Sequence, residues 1–136
     1  LKVVEEFGYE MYMHCGAIRK VLLAWQTPAF IDEYFKNIIL HDQAFPHVRP
    51  DDLREELKKI RQDGYAITHG EYVTDALGIG APVFNSDGEL AGSIGIIAPE
   101  IRVDTPELLD TQKDLVQFYA SSLSADLGYE KHDVFQ

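Results

Sequence analysis

Between Gly64 and Pro99 the chain reads GYAITHGEYVTDALGIGAPVFNSDGELAGSIGIIAP, and this stretch constrains the fold more than any other. Two apolar runs flank Asn85-Ser86-Asp87-Gly88, and turn formers between such runs are the strongest short-range signal for a β-hairpin. Strand side chains alternate between faces. The first strand therefore places Leu77, Ile79, Ala81 and Val83 on one face and Ala76, Gly78, Gly80 and Pro82 on the other. The second divides into Leu90, Gly92, Ile94 and Ile96 against Ala91, Ser93, Gly95 and Ile97. A two-residue loop at Ser86-Asp87 sets Leu77 opposite Ile96, Ile79 opposite Ile94, and Gly78 opposite Gly95. A three-residue loop with Gly88 left-handed shifts the pairing by one and mixes the faces, so the unmixed register is the expectation. Several glycines on one strand face leave room for close approach by a helix, another backbone or a ligand, and the residues leave that choice open.

At 136 residues the chain is long enough for one domain with a sizeable core and too short for two ordinary ones. With 46 % apolar and 11 % aromatic residues its composition is globular. A formal charge of −11 excludes this stretch as a nucleic-acid surface, because phosphate binding needs Lys and Arg. The apolar run Val21–Trp25 is far too short to span a membrane, and no basic, apolar leader precedes it. One cysteine, Cys15, allows no internal disulfide and suits a reducing compartment, so a cytoplasmic protein without membrane contact is expected. A start at Leu1 instead of Met suggests a piece of a longer protein with room for a basic partner domain upstream.

In chain order, Leu1–Cys15 reads as β-rich with a break at Gly8. Ala17, Ile18, Val21, Leu22 and Trp25 recur at helical spacing, and Thr27-Pro28 stops that helix and caps the next, whose stripe is Phe30, Ile31, Tyr34, Phe35 and Ile38. His41–Pro50 is an irregular connection. Asp51-Asp52 opens a third helix, with capping-box spacing from Asp52 to Glu55, a stripe of Leu53, Leu57 and Ile60, and Gly64 as its left-handed end. After the hairpin, Thr105-Pro106 starts a long helix to about Gly128, with Leu108, Leu115, Tyr119, Leu123 and Leu127 as its ladder. This order of elements predicts an α+β fold, one antiparallel sheet with helices on it.

The search for chemistry is mostly negative. His14, His41, His47, His69 and His132 lack the close spacings of helical zinc motifs, so no metal or cofactor is expected. His69 and Glu71 stand two apart on one predicted strand face, where an acid–base pair and two solvated side chains look alike. Cys15 with His69 and Glu71 is the one conceivable catalytic set, although a lone cysteine is usually a small buried hydrophobe. Gly78-Ile79-Gly80 lacks the third glycine and the helix of a dinucleotide site. The balance points to binding and away from an enzyme.

The run Leu57–Pro99 resembles the effector-binding domain of IclR-type bacterial transcription regulators. Its carriers are Gly64-Tyr65, then Glu71, then Ala81-Pro82-Val83, Asp87-Gly88 and Pro99, with Ala120, Ser124, Leu127, Gly128 and Tyr129 downstream and His14, Ala17, Lys20, Leu22, Leu23 and Ala24 upstream. The resemblance implies a GAF-like, profilin-like fold, a six-stranded antiparallel sheet flanked by helices, with residues 1–136 as the effector domain. It also implies a pocket for a small organic or aromatic acid lined by Ala17 and Ile18, by Thr68, Ala76 and Gly78, and by Gly95 and Ile97. Ala76, Gly78, Gly95 and Ile97 also belong to the small faces read from alternation. Arg19 departs from the family's Gly at that position and is either a partner for a carboxylate ligand or a solvated helix arginine. Pockets of small and apolar groups favour larger apolar ligands, so an aromatic or medium-sized acid is expected. Homodimers or tetramers are implied, with DNA read only by a winged helix-turn-helix outside this chain. Two other readings stay in view: a GAF-like oligomerisation module whose pocket is filled by Ile18 and Ile97, and the small enzyme using Cys15, His69 and Glu71.

Overall fold

The structure, a computed structural model, describes residues 12–41, 48–71 and 73–130. Four helices and three strands follow one another as α1 (Ala17–Ala24), α2 (Pro28–Tyr34), α3 (Pro50–Asp63), β1 (Ala66–His69), β2 (Ala76–Phe84), β3 (Leu90–Pro99) and α4 (Pro106–Asp126). This is the expected α+β class. Three antiparallel strands, in the order β1-β2-β3, make up the sheet among the described residues, where the resemblance implied six. Most of the strand-rich stretch expected over Leu1–Cys15 lies outside the described residues. Its last part, Tyr12–Cys15, is a turn closed by Cys15 N–H on the Tyr12 carbonyl at 3.2 Å.

The hairpin keeps its two faces by a different route from the expected one. Asn85 N–H donates to the Glu89 carbonyl at 2.9 Å, Gly88 N–H donates to Asn85 O at 3.0 Å, and Gly88 has φ +77°. That is a three-residue loop with a left-handed glycine, which shifts the register by one. A bulge between Val83 and Phe84 then shifts it by one more: Phe84 faces Leu90, whereas Val83 faces Gly92. The two shifts add to an even number, so the faces stay unmixed while every partner moves by two. Leu77 lies opposite Ala98, Ile79 opposite Ile96, and Gly80, in place of Gly78, lies opposite Gly95.

Each face has its own partner. Leu77, Ile79, Ala81 and Val83 pack with Val103, Val116 and Ala120 under α4. The glycine face receives α1, and α3 covers the far side of α1 through Leu53, Leu57 and Ile60, so the layers run α3, α1, sheet, α4. Helix starts follow the sequence where a hydroxyl precedes proline. Thr27 Oγ1 accepts from Phe30 N at 3.1 Å, and Thr105 Oγ1 accepts from Leu108 N at 3.2 Å. The expected capping box at Asp52 does not form, because Pro50 is already the first helical residue and Asp52 lies inside the first turn, 3.6 Å from Arg49. The second helix continues through a π turn over Phe35–Ile39, which buries Phe35 and Ile39 and leaves Phe30 43 % exposed.

The apolar ladder along α4 faces outward. Leu108, Leu115, Tyr119, Leu123 and Leu127 are 40 to 59 % exposed, and the buried face is Val116, Ala120 and Ser124. Small residues face the sheet because the helix docks closely there. Ser124 Oγ accepts from Phe84 N at 2.9 Å and donates to Ala120 O at 2.8 Å, satisfying a strand donor that the bulge leaves free.

Close approach of α1 governs the other face. A Cβ on Gly80 would sit 2.9 Å from Ile18 Cα and 3.0 Å from Ile18 N, both of them backbone atoms that cannot rotate away. Gly80→Ala is therefore expected to destabilise the fold by about 1–3 kcal/mol in urea titration. At Gly92, where nothing lies within 4 Å, the same change should stay within about 0.5 kcal/mol. Equal effects at the two positions would contradict the packing account.

Candidate functional site

A pocket opens between the first turn of α1 and the three strands. It is lined by Gly16–Arg19 from the helix start, Thr68 from β1, Ala76 and Gly78 from β2, Ile97 from β3, and Glu71 and Val73 from the β1–β2 connection. The sheet register brings these residues together, since Thr68 pairs with Gly78 and Gly78 with Ile97 across the ladder. Missing side-chain atoms at Gly78 create the space: a Cβ there would stand 3.0 Å from Thr68 Oγ1 and 3.4 Å from Ala17 Cβ. The enclosed free space is ≈ 20 Å³, room for about one water molecule.

Six of the seven residues singled out from the sequence meet here: Ala17, Ile18, Thr68, Ala76, Gly78 and Ile97. Gly95 does not line the pocket. It lies beneath α1, where a Cβ would reach the Ile79 carbonyl and come within 2.8 Å of Ile18 Cγ1. The glycine face thus carries two features on one ribbon, a helix seat at Gly80 and Gly95 and a cavity wall at Gly78.

Charge at the mouth is organised by a buried cation. Lys20 is 2 % exposed, and its Nζ lies 2.7 and 2.8 Å from the two carboxylate oxygens of Glu71 and 2.9 Å from both oxygens of Glu56. Two acidic partners make burial of this ammonium tolerable, since an isolated charge would be expelled. Glu71 Oε1 also accepts from Gly16 N–H at 3.3 Å, so this carboxylate bonds to the start of α1. It thereby ties the helix to the β1–β2 connection at the pocket wall. Sequence reading named Glu71 but missed this role. The available signal was a lysine three residues from Ala17 and four from Ala24, on the buried face of an apolar helix. Gly16 and Val73 carried no signal of their own, and Arg19 lines the pocket.

The catalytic set is not assembled. Glu71 lies beyond the end of β1, past Gly70, and not on a strand with His69. His69 points to the opposite side of the sheet from Thr68, where its Nδ1 meets Glu100 Oε1 at 2.9 Å. Cys15 is buried and donates to the Glu71 backbone carbonyl at 3.3 Å. Burial pushes its thiol above the ordinary value, with Glu71 adding and Arg19 and Lys20 opposing, so it stays protonated near neutral pH and is a poor nucleophile. His14 is fully buried, bonded through Nδ1 to Tyr34 Oη at 2.8 Å, and burial raises that phenol. His47 and His132 lie outside the described residues, and among the described ones no cluster of His, Cys, Asp or Glu could hold a metal. No helix among them is long and apolar enough to cross a membrane.

Comparison with known proteins identifies the family. A profile of the family described as Bacterial transcriptional regulator IclR C-terminal matches residues 1–125. The HTH-type transcriptional regulator RhmR of Escherichia coli is 32 % identical over 99 residues, covering 71 % of this chain and 38 % of that protein. The crystal structure of the Thermotoga maritima IclR superimposes with a TM-score of 0.79 at 26 % identity, over 93 % of this chain and 51 % of that one. An Acinetobacter PobR inducer-binding domain, a double mutant in complex with 3-hydroxybenzoic acid, gives a TM-score of 0.72 at 22 % identity, over 82 % and 66 %. The chain spans about half the length of the relatives it matches or less. It belongs to the IclR family of bacterial transcriptional regulators, whose C-terminal domain it represents.

Proposed function

We propose that this domain senses a small organic acid of aromatic or medium size in the pocket at the start of α1. The effector's effect then passes through subunit rearrangement to a helix-turn-helix domain outside the chain. The observation that carries the reading is the convergence of Ala17, Ile18, Thr68, Ala76, Gly78 and Ile97 on one cavity. Support also comes from the PobR inducer-binding domain, a structural neighbour in complex with 3-hydroxybenzoic acid. The wall is mostly apolar, with Thr68, Arg19 and Glu71 as its polar groups, which favours a ligand with an apolar body and few polar atoms. DNA contact falls to the upstream domain implied by the relatives' HTH-type names, because a charge of −11 repels phosphate from this one.

A second reading rests on the size of the cavity. With ≈ 20 Å³ free, Ile18 and Ile97 fill much of the space between helix and strands, and an aromatic acid enters only as they give way. The competing function is a GAF-like module that only oligomerises.

Thermal denaturation against a panel of organic and aromatic acids separates the two. Ligand at a hundred times its Kd should add about 2.7 kcal/mol and raise the midpoint by several degrees. Gly78→Leu, which fills the cavity, should abolish that shift. No shift from any compound, with Gly78→Leu folded and assembled normally, would favour the oligomerisation module.

Subunit pairing is supported by α4, whose outer stripe of Leu115, Tyr119 and Leu123 is large, apolar and without cover among the described residues. A second copy of the chain is the occupant we assign. Leu115→Glu with Leu123→Glu should lower the molecular mass in sedimentation velocity while leaving the helical circular dichroism unchanged. An unaltered assembly would remove α4 from the interface.

A further inference from the structure

A second concavity lies where the end of α1, the start of α2 and the middle of α3 meet, and it shares no residue with the pocket at Gly78. Its free space is ≈ 320 Å³, within the range of small-molecule sites and far above that of the first pocket. Ala24, Ile31 and Leu57 are its apolar lining, with Ala24 2 % and Leu57 5 % exposed. Arg54, Lys58 and Arg61 also line it, spaced along α3 so that they share one face.

That gathering runs against the chain's own charge. Only 12 Lys and Arg stand against 23 Asp and Glu, yet three cations and a single carboxylate, Asp32, line this groove. The two arginines are already held in place. Arg54 lies 4.1 Å over the Phe35 ring and 3.2 Å from Asp32 Oδ1, and Arg61 Nη1 donates to the Ala24 carbonyl at 3.3 Å. Each guanidinium retains N–H groups beyond those bonds, and an anchored fork loses little rotamer freedom when a ligand binds. Lys58, whose side chain is 70 % exposed and 3.2 Å from Glu55, is able to swing over an occupant.

We propose that this groove is a binding site for an amphipathic organic anion, its apolar body on Ala24, Ile31 and Leu57 and its acid group toward Lys58 and Arg61. An inorganic anion would waste the apolar floor, and a neutral molecule of the same shape would leave the cations unused. The two concavities lie at opposite ends of α1, so occupation here is independent of the sensing pocket in its contacts.

Phenylacetate is the probe, with phenylacetamide as its uncharged counterpart, titrated into the 136-residue chain and followed by amide proton–nitrogen NMR. The expected result is saturable shifts at Ala24, Ile31, Leu57 and Arg61 with phenylacetate, weaker binding of phenylacetamide, and persistence of both effects in Gly78→Leu. Lys58→Gln with Arg61→Gln should weaken phenylacetate about tenfold, the effect of losing one good charged contact. Lys58→Gln alone, on an exposed side chain, should weaken it in a fully folded protein. Shifts confined to Thr68, Gly78 and Ile97 would overturn this site while supporting the sensing pocket. Equal binding of acid and amide, or no saturation with either, would also overturn it.

Discussion

Everything near the pocket depends on how closely α1 lies on the sheet. Helix and strands normally pack with a layer of side chains between them, but at Gly80 that layer is missing and the Ile18 backbone fills its place, while at Gly95 the Ile18 side chain and the Ile79 carbonyl do. Ser93 Oγ donates to the Ile18 carbonyl at 2.9 Å from the same strand face, fixing the helix along its axis as well as in depth. With α1 held there, its first turn is set against Thr68, Gly78 and Ile97, and a cavity forms because Gly78 lacks the atoms that would fill it. The helix seat and the pocket are thus one construction, in which a glycine every second residue serves packing at one position and volume at the next.

Lys20 is the electrostatic counterpart of that seat. A lysine on the buried face of an eight-residue helix would ordinarily be expelled, and two carboxylates from distant segments retain it. Glu56 comes from α3 and Glu71 from the turn after β1, so the single ammonium joins three parts of the chain that meet nowhere else in sequence. Glu71 is thereby held by Lys20 and the Gly16 amide, and His69 by Glu100 across the sheet. Those commitments are the physical reason that the acid–base reading of the two residues does not survive.

Much of this was legible because the relevant signals are local. Thr27-Pro28 and Thr105-Pro106 start helices, Gly64 ends one with φ +81°, and alternation assigns the hairpin faces correctly. The exact pairing was not legible, since loop length and the bulge at Val83/Phe84 each move the register by one and only their sum preserves the faces. Alternation detects parity and is blind to an even shift. The buried side of α4 was not legible for a different reason. Periodicity marks where large apolar residues fall, whereas the helix docks through Ala120 and Ser124, small enough for close contact and, in Ser124, able to meet the Phe84 amide. Gly95 stands outside the pocket lining because the register sets it opposite Gly80 and under the helix.

Several of the residues that carry the family resemblance have a backbone or charge demand to meet. Gly64 and Gly128 take left-handed conformations at helix ends, Gly88 does so in the hairpin loop, Glu71 holds Lys20, and Ser124 caps a strand donor. All of these but Glu71, which also lines the cavity, stand away from it. Ile18, Thr68, Val73 and Ile97, by contrast, touch the cavity through side chains whose size and polarity can change without disturbing a turn or an ion pair. The residues that hold the fold and those that shape the cavity are therefore largely different, with Ala17 and Glu71 in both sets. Arg19, in the first turn of α1, adds a cation to the cavity wall while the helix keeps its seat.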